Sequence, residues 1–122
     1  MTHEKLMHTE IQAGLTYRLY IEPDWFPVEG NLIASGDEEL DRETEAEVRD
    51  RLKHGETWAW AAVTVEAEVD EITGEDTLCG CSYRDTAEFI QPGGYWQDMK
   101  KQALLALRRR CQQTLAKTQE QP

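Results

Sequence analysis

The stretch that decides the fold is residues 56–83, which reads ETWAWAAVTVEAEVD (56–70), EITGE (71–75) and DTLCGCSY (76–83). Small apolar residues occupy every second position from 59 to 69, and this period of two predicts a strand with one buried face. The turn around Gly74 predicts that residues 76–83 return as its antiparallel partner. The small side chains on the buried face suit a helix packed closely on the sheet.

One further strand and two helices are predicted around this hairpin. Residues 15–22 (LTYRLYIE) alternate between the two faces of a half-buried strand. Residues 38–53 are predicted to form a helix with Ser35 or Asp37 as its N-cap, because acids fill its first turn. Residues 95–116 form a second, longer helix. The predicted inward-facing residues are Leu40, Thr44, Val48 and Leu52 in the first helix, and Trp96, Met99, Ala103, Leu107 and Cys111 in the second.

The predicted fold class is α+β: a small antiparallel sheet of about three strands, covered on one face by two helices, in the order β-α-β-β-α. A chain of 122 residues supports a single domain with its own core. We expect residues 15–117 to form this domain, with a flexible leader at 1–14 and a disordered tail at 118–122. Without a signal-peptide pattern or an apolar run of about 18 residues, the chain is expected to be soluble and cytoplasmic.

The net charge of −11 is unevenly distributed along the chain. Residues 35–88 carry 17 acidic and five basic side chains, whereas residues 89–122 carry two acidic and six basic ones. The acidic balance argues against direct binding of nucleic acid or of an anionic membrane, because phosphate affinity comes largely from Lys and Arg. Two interpretations stay open: the opposite charges help the domain close, or an acidic face binds a basic partner.

No motif in the chain indicates an enzyme, a cofactor or a metal site. The three cysteines and three histidines lack the paired spacing of a zinc site, and Cys79, Cys81 and Cys111 are expected to be reduced core residues. The acids of residues 70–76 lack the alternate oxygen ligands of an EF-hand, so a solvated turn is expected. No Walker loop or activated nucleophile is present. We therefore predict no catalytic residues, no cofactor and no metal ligands.

The unusual feature is a run of acids without basic partners nearby in sequence. Residues 55–83 contain seven carboxylates and no Lys or Arg. Like charges on neighbouring strands cost stability, which favours a binding surface, although the same acids can instead serve solubility and protect a strand edge. The candidate acidic surface combines helix 37–53 with hairpin 66–76, and its predicted binding residues are Asp37, Glu38, Asp41, Glu45, Glu66, Glu68, Asp70, Glu71, Glu75 and Asp76.

Trp58 and Trp60 form the second candidate site. Alternation places both on the face opposite the small apolar residues. Either the loop that contains Trp25 and Phe26 covers them, or they are exposed and anchor a partner or a second subunit, since Trp is common at interfaces.

Part of the chain resembles a protein family. Trp58-Ala-Trp60 with Val63 and Val65, the segment LCGCSY at 78–83, and the pattern Phe89…Gly93-Gly-Tyr95-x-x-Asp98-Met99 are similar to a pattern in small acidic accessory proteins of phages, prophages and mobile elements. The likeness covers residues 56–107, and the shared motif is structural. The resemblance implies a short accessory protein that acts in a bacterial cytoplasm, and it carries over no catalytic residues.

Charge and resemblance together lead to two expected functions. In the first, the protein is a non-enzymatic interaction protein, a partial DNA mimic whose acidic surface binds a basic protein surface. By analogy, the partner would be a host defence nuclease or a CRISPR complex. In the second, the protein is a structural or accessory protein that forms a homodimer through exposed Trp58 and Trp60, while the acids serve solubility.

Overall fold

The computed structural model describes residues 4–25, 27, 28, 31 and 36–120. Four strands and three α-helices confirm the α+β class. They are, in chain order, β1 (Lys5–Gln12), β2 (Leu15–Pro23), α1 (Glu38–Lys53), a short 3-10 helix (Thr57–Ala59), β3 (Ala61–Val69), β4 (Ile72–Cys81), α2 (Thr86–Phe89) and α3 (Tyr95–Glu120). None of the described helices combines the length and apolarity needed to cross a bilayer.

The strands form one antiparallel sheet in the order β1-β2-β3-β4. Both hairpins close through two residues with positive φ, Ala13 (53°) and Gly14 (78°) in the first and Asp70 (49°) and Glu71 (68°) in the second. Two-residue turns of this kind match the right-handed twist of the strands that they join.

The predictions of about three strands and of a flexible leader at 1–14 are wrong, because Lys5–Gln12 forms the edge strand β1. A bulge at Met7 shifts the register between Leu6 and His8, so a simple period of two is absent from its sequence. At the other end of the chain, α3 continues to Glu120 instead of ending before a disordered tail at 118–122. Residues 121–122 lie outside the described part.

The main core lies between one face of the sheet and α3. Tyr17, Leu19 and Ile21 of β2 and the alternate residues of β3 from Ala61 onward pack against α3. Four of the five residues predicted to face inward on this helix are buried, and Cys111 packs at the margin of the core: Trp96, Met99, Ala103 and Leu107 are at most 3% exposed.

Gly74 lies within β4 and not in a turn as predicted, and it allows a close approach of α3 to the sheet. A Cβ at this position would overlap the backbone nitrogen and Cα of Leu107, although the φ of Gly74 lies outside the left-handed region. The glycine is therefore required by the neighbouring backbone and not by its own conformation.

Helix α1 does not share the sheet face with α3, which corrects the prediction that two helices cover one face. It packs beside the 3-10 helix, where Val48 and Leu52 contact Trp60 in a second, smaller core. The first half of the predicted inward stripe is wrong, because Leu40 is 49% exposed and Thr44 is also exposed. Only the last two turns of α1 have a core to pack against.

The helix start is as predicted for one of the two candidate caps. Asp37 accepts hydrogen bonds from the backbone N–H groups of Glu39 (3.0 Å) and Leu40 (3.2 Å). These bonds satisfy amides that have no partner within the helix. The other candidate, Ser35, lies outside the described residues.

Candidate functional site

The face of the sheet opposite α3, called here the open face, gathers most of the acidic hairpin. Successive strand residues point to opposite faces, so burial of Val63, Val65 and Ala67 under α3 places their neighbours on the open face. The strand register then aligns Arg18 of β2, Glu66 of β3 and Glu75 of β4 in one row across three strands. The side chains of the open face are Leu6, Thr9 and Ile11 of β1; Thr16, Arg18, Tyr20 and Glu22 of β2; Ala62, Thr64, Glu66 and Glu68 of β3; and Thr73, Glu75, Thr77 and Cys79 of β4.

Arg18 lies near the centre of this face and binds two of the predicted site residues. Its Nη1 donates to Glu66 Oε1 at 3.1 Å and to Glu68 Oε1 at 3.0 Å. The hydrogen bond to Glu68, followed by the one to Glu66, raises the pKa of Arg18 against the opposing effect of burial. The hairpin acids therefore have a basic partner, which is distant in sequence and adjacent in the sheet.

One guanidinium does not balance the acids around it. Glu22 and Glu75 lie on the same face, and Glu4, directly before β1, joins them. Partial burial and then the charges of Glu22, Glu75 and Glu66 raise the pKa of Glu4. Burial and then the charge of Glu66 raise the pKa of Tyr20 as well. In both shifts burial is the larger cause, and the neighbouring carboxylates add to it.

The remaining predicted hairpin residues lie elsewhere. Asp76 is paired with Val65 in the register, so it belongs to the α3 side of the sheet and is half-buried at the edge. Asp70 and Glu71 form the exposed β3–β4 turn. The predicted set of six hairpin acids thus divides between two faces and a turn, and Glu66, Glu68 and Glu75 are the members on the open face.

The predicted helix residues are also divided. Glu38 is exposed, and Asp37 is the N-cap. Asp41 and Glu45 are half-buried on the side of α1 that carries Val48, so they do not lie on its solvent face. The exposed acids of this helix that the prediction omitted are Glu39, Glu43, Glu47 and Asp50.

The packed end of α1 and the acidic turn of the hairpin lie far apart. The last two turns of α1 pack beside Trp60, directly before the first residue of β3, whereas Asp70 and Glu71 follow its last residue. Nine strand residues separate these ends by roughly 30 Å. The turn and the packed end of α1 are therefore at opposite ends of the sheet.

Trp58 and Trp60 are 6% and 2% exposed, so the alternative in which they form a surface anchor is wrong. Trp58 packs against Phe89 and Tyr83 in the main core, and its Nε1 donates to Thr86 Oγ1 at 2.9 Å. Trp60 lies in the second core under α1.

The two tryptophans do not share a face, because the 3-10 helix interrupts the alternation between them. The loop that contains Trp25 and Phe26 helps to cover Trp60, because its Val28 is buried against Trp60 in the second core. Trp25 itself is 79% exposed, and Phe26 lies outside the described residues.

Other chemistry is sparse in the described part of the chain. It contains no group of three His, Cys, Asp or Glu side chains that could hold a metal ion. Cys81 is buried, and burial raises the pKa of its thiol to about 12, which makes it a poor nucleophile. Cys79 is exposed on the open face, so the prediction that all three cysteines are core residues is wrong for Cys79. Cys81 is in the main core, and the half-buried Cys111 packs at its margin.

Sequence reasoning missed Glu4 and Glu22, and it missed Arg18 as the partner of the hairpin acids. The alternation of residues 15–22 already placed Arg18 and Glu22 on one side of a strand. The sequence did not show which strand lies next to β2, because a pairing between residues about 50 positions apart leaves no local signal. Comparison with protein-family models, with curated proteins and with solved structures found no match for this chain.

Proposed function

We propose that this is a non-enzymatic interaction protein whose open face binds a basic surface of a partner protein. One observation carries the proposal: the open face groups five carboxylates, those of Glu4, Glu22, Glu66, Glu68 and Glu75, around the guanidinium of Arg18.

The cost of this arrangement supports a binding role. Like charges on adjacent strands destabilise a sheet, and the raised pKa of Glu4 reflects such repulsion in addition to burial. A basic partner would relieve the repulsion on binding, and the negative potential would accelerate its encounter. Solubility alone does not require the acids to share one face.

The same face also offers apolar contacts. Leu6 is 54% exposed and Ile11 is 76% exposed, and both lie beside the acidic rows. A partner surface with Arg or Lys around an apolar centre fits this combination, since interfaces combine a desolvated centre with a polar rim. Direct binding of nucleic acid does not fit, because phosphate would be repelled.

The narrower form of the proposal concerns the setting. A basic nucleic-acid groove on a host defence nuclease or a CRISPR complex is a surface of the required chemistry, and the resemblance to phage accessory proteins suggests a bacterial cytoplasm. The acidity of the open face supports a basic partner. The choice of a nuclease or a CRISPR complex rests on the resemblance alone. In this form duplex DNA competes with the protein for the partner.

The experiment is affinity capture from bacterial lysate at low and at high salt with three matched baits. The first is the unaltered protein, and the second carries Glu66→Gln, Glu68→Gln and Glu75→Gln. The third carries Glu38→Gln, Glu39→Gln and Glu43→Gln, which change the charge equally on the exposed side of α1. We expect a salt-sensitive partner that the first and third baits recover and the second does not.

Two results would contradict the proposal. Equal loss with both triple variants would mean that net charge, and not the open face, attracts the captured protein. Retention by the open-face variant would mean that the partner binds elsewhere. Circular dichroism of each bait before capture separates loss of binding from loss of fold.

A further inference from the structure

β1 is an edge strand that carries exposed apolar side chains. Its neighbour in the sheet is β2, so the outward N–H and C=O groups of β1 pair with no other strand of the described chain. Leu6, Met7 and Ile11 are 54%, 36% and 76% exposed. An exposed edge that carries apolar side chains is a template for pairing with another strand.

The opposite edge, β4, is less suited to pairing with a copy of itself. It carries the acids Glu75 and Asp76, which would repel a second copy of the same strand. Near its end, the backbone N–H of Gly80 is already bound by the carboxylate of Asp24. Pairing through an edge is therefore favoured at β1.

We propose that β1 pairs antiparallel with β1 of a second copy, in the register that places Lys5 opposite the second copy's Glu10. Lys5 and Glu10 both lie on the α3 side of the sheet, since they pair with Ile21 and Tyr17 of β2. Lys5 is exposed and has no ion pair within the described residues, so it is available for Glu10 of the other copy.

In this register, opposed residues between Glu4 and Ile11 lie on the same face of the sheet. It sets Leu6 opposite Thr9, both on the open face, and Met7 opposite His8 across the two-fold axis. Met7 lines the same cavity as Ile21 and Trp58, which places it on the α3 side like His8. Glu4 then faces Ile11, so no like charges oppose each other. Because both symmetry-related contacts are identical, every favourable pair forms twice.

The resulting dimer is a continuous eight-stranded sheet with both open faces on the same side. Two strands of eight residues bury less than the roughly 1,200–2,000 Å² of a stable interface, so association is weak and depends on concentration. The dimer leaves Glu66, Glu68 and Glu75 accessible. If the dimer does not form, the proposed function is therefore unaffected.

The first test is sedimentation velocity from low to high micromolar concentration. We expect reversible dimerisation that Lys5→Glu weakens by about tenfold, because two glutamates then oppose each other at both symmetry-related positions. The matched control is Lys101→Glu, which makes the same charge change on an exposed position of α3. A monomer at every concentration, or equal weakening by both variants, would overturn the proposal.

The second test reads the register and does not depend on charge. In a Cys79→Ser background, a Leu6→Cys copy mixed with a Thr9→Cys copy should form an intermolecular disulfide, since opposed residues of antiparallel strands lie within disulfide range. Leu6→Cys alone and Thr9→Cys alone should not form an intermolecular disulfide through the new cysteine. A disulfide that forms equally in unmixed Leu6→Cys would show another register and would refute the pairing described here.

Discussion

β1 and β4 are the two edges of the same sheet, and α3 reaches both of them by different contacts. At β4 the backbone of Leu107 lies directly against Gly74. At β1 the contact is made by long side chains: Lys100 Nζ donates to Glu10 Oε2 at 2.6 Å and to Gln12 Oε1 at 3.4 Å.

The surroundings of Lys100 make it the central residue of the β1 attachment. The residue is 7% exposed, and its ammonium lies 5.5 Å from the ring centre of Tyr17 and 5.2 Å from that of Trp96. Such cation–π contacts add to the ion pair. One edge is thus attached by close packing and the other by a buried charge, so the two should respond differently to substitution and to pH.

The largest effect is expected from adding a methyl group at the packed edge. Gly74→Ala should lower the free energy of unfolding by about 3 kcal/mol, because the backbone of α3 must move away from β4. Chemical denaturation measures the loss. Gly94→Ala is the matched control, since a Cβ there meets only ordinary contacts at 3.4 Å and beyond. Equal losses in both variants would mean that the approach of α3 to β4 is not the limiting contact.

An intermediate effect is expected at the charged edge. Glu10→Gln should cost about 1–2 kcal/mol, because the buried ammonium of Lys100 keeps only amide acceptors. Lys100→Met should cost less, since it retains the aliphatic stem and leaves a carboxylate that is about a third exposed and can be hydrated.

Hydrogen exchange at the β1 amides checks where the effect lies. Glu10→Gln should accelerate exchange in β1 and leave β4 unchanged, and a uniform acceleration across the sheet would contradict a local attachment. Glu43→Gln, an exposed substitution on α1, serves as the neutral control.

The smallest effect is a difference in pH dependence. The hydrogen bond from Lys100 lowers the pKa of Glu10 from its ordinary 4.5, so the stability that this group contributes is present above pH 4.5 and is lost as the pH falls through the lowered value. Glu4 on the open face has the opposite sign, because its pKa is raised and its ionisation in the folded state opposes folding.

Denaturation between pH 3 and 7 in Glu10→Gln and Glu4→Gln separates the two groups. We expect Glu10→Gln to flatten the acid loss of stability and Glu4→Gln to steepen it, since the two groups contribute slopes of opposite sign. The same change of slope in both variants would contradict the contrast between β1 and the open face.

Several elements were predictable because their signals are local. The alternation of β3, the N-cap Asp37 and the buried stripe of α3 each follow from residues that are near one another in the sequence. The 3-10 helix at Thr57–Ala59 was missed, because no period marks a single turn. Because this turn interrupts the alternation, Trp58 and Trp60 lie in different cores.

β1 was missed for a different reason. The strand shows mixed polarity because Glu10 and Gln12 on its α3 side meet Lys100 and not an apolar surface. A residue that is polar in sequence and faces a buried charge gives the wrong hydrophobic pattern. The edge strand could be recognised only once its partner on α3 was known.

By itself, the sequence determined the α+β class and the excess of acid between residues 55 and 83. Its alternation indicated the central hairpin, but the glycine led the prediction to place the turn around Gly74 and not at Asp70 and Glu71. Only the tertiary structure decided that Glu66, Glu68 and Glu75 share a face with Arg18 and Glu22, while Asp76 lies on the other side. The physical reason is that alternation defines two faces for each strand, but only pairing and the packing of α3 select which face is buried and which charges become neighbours.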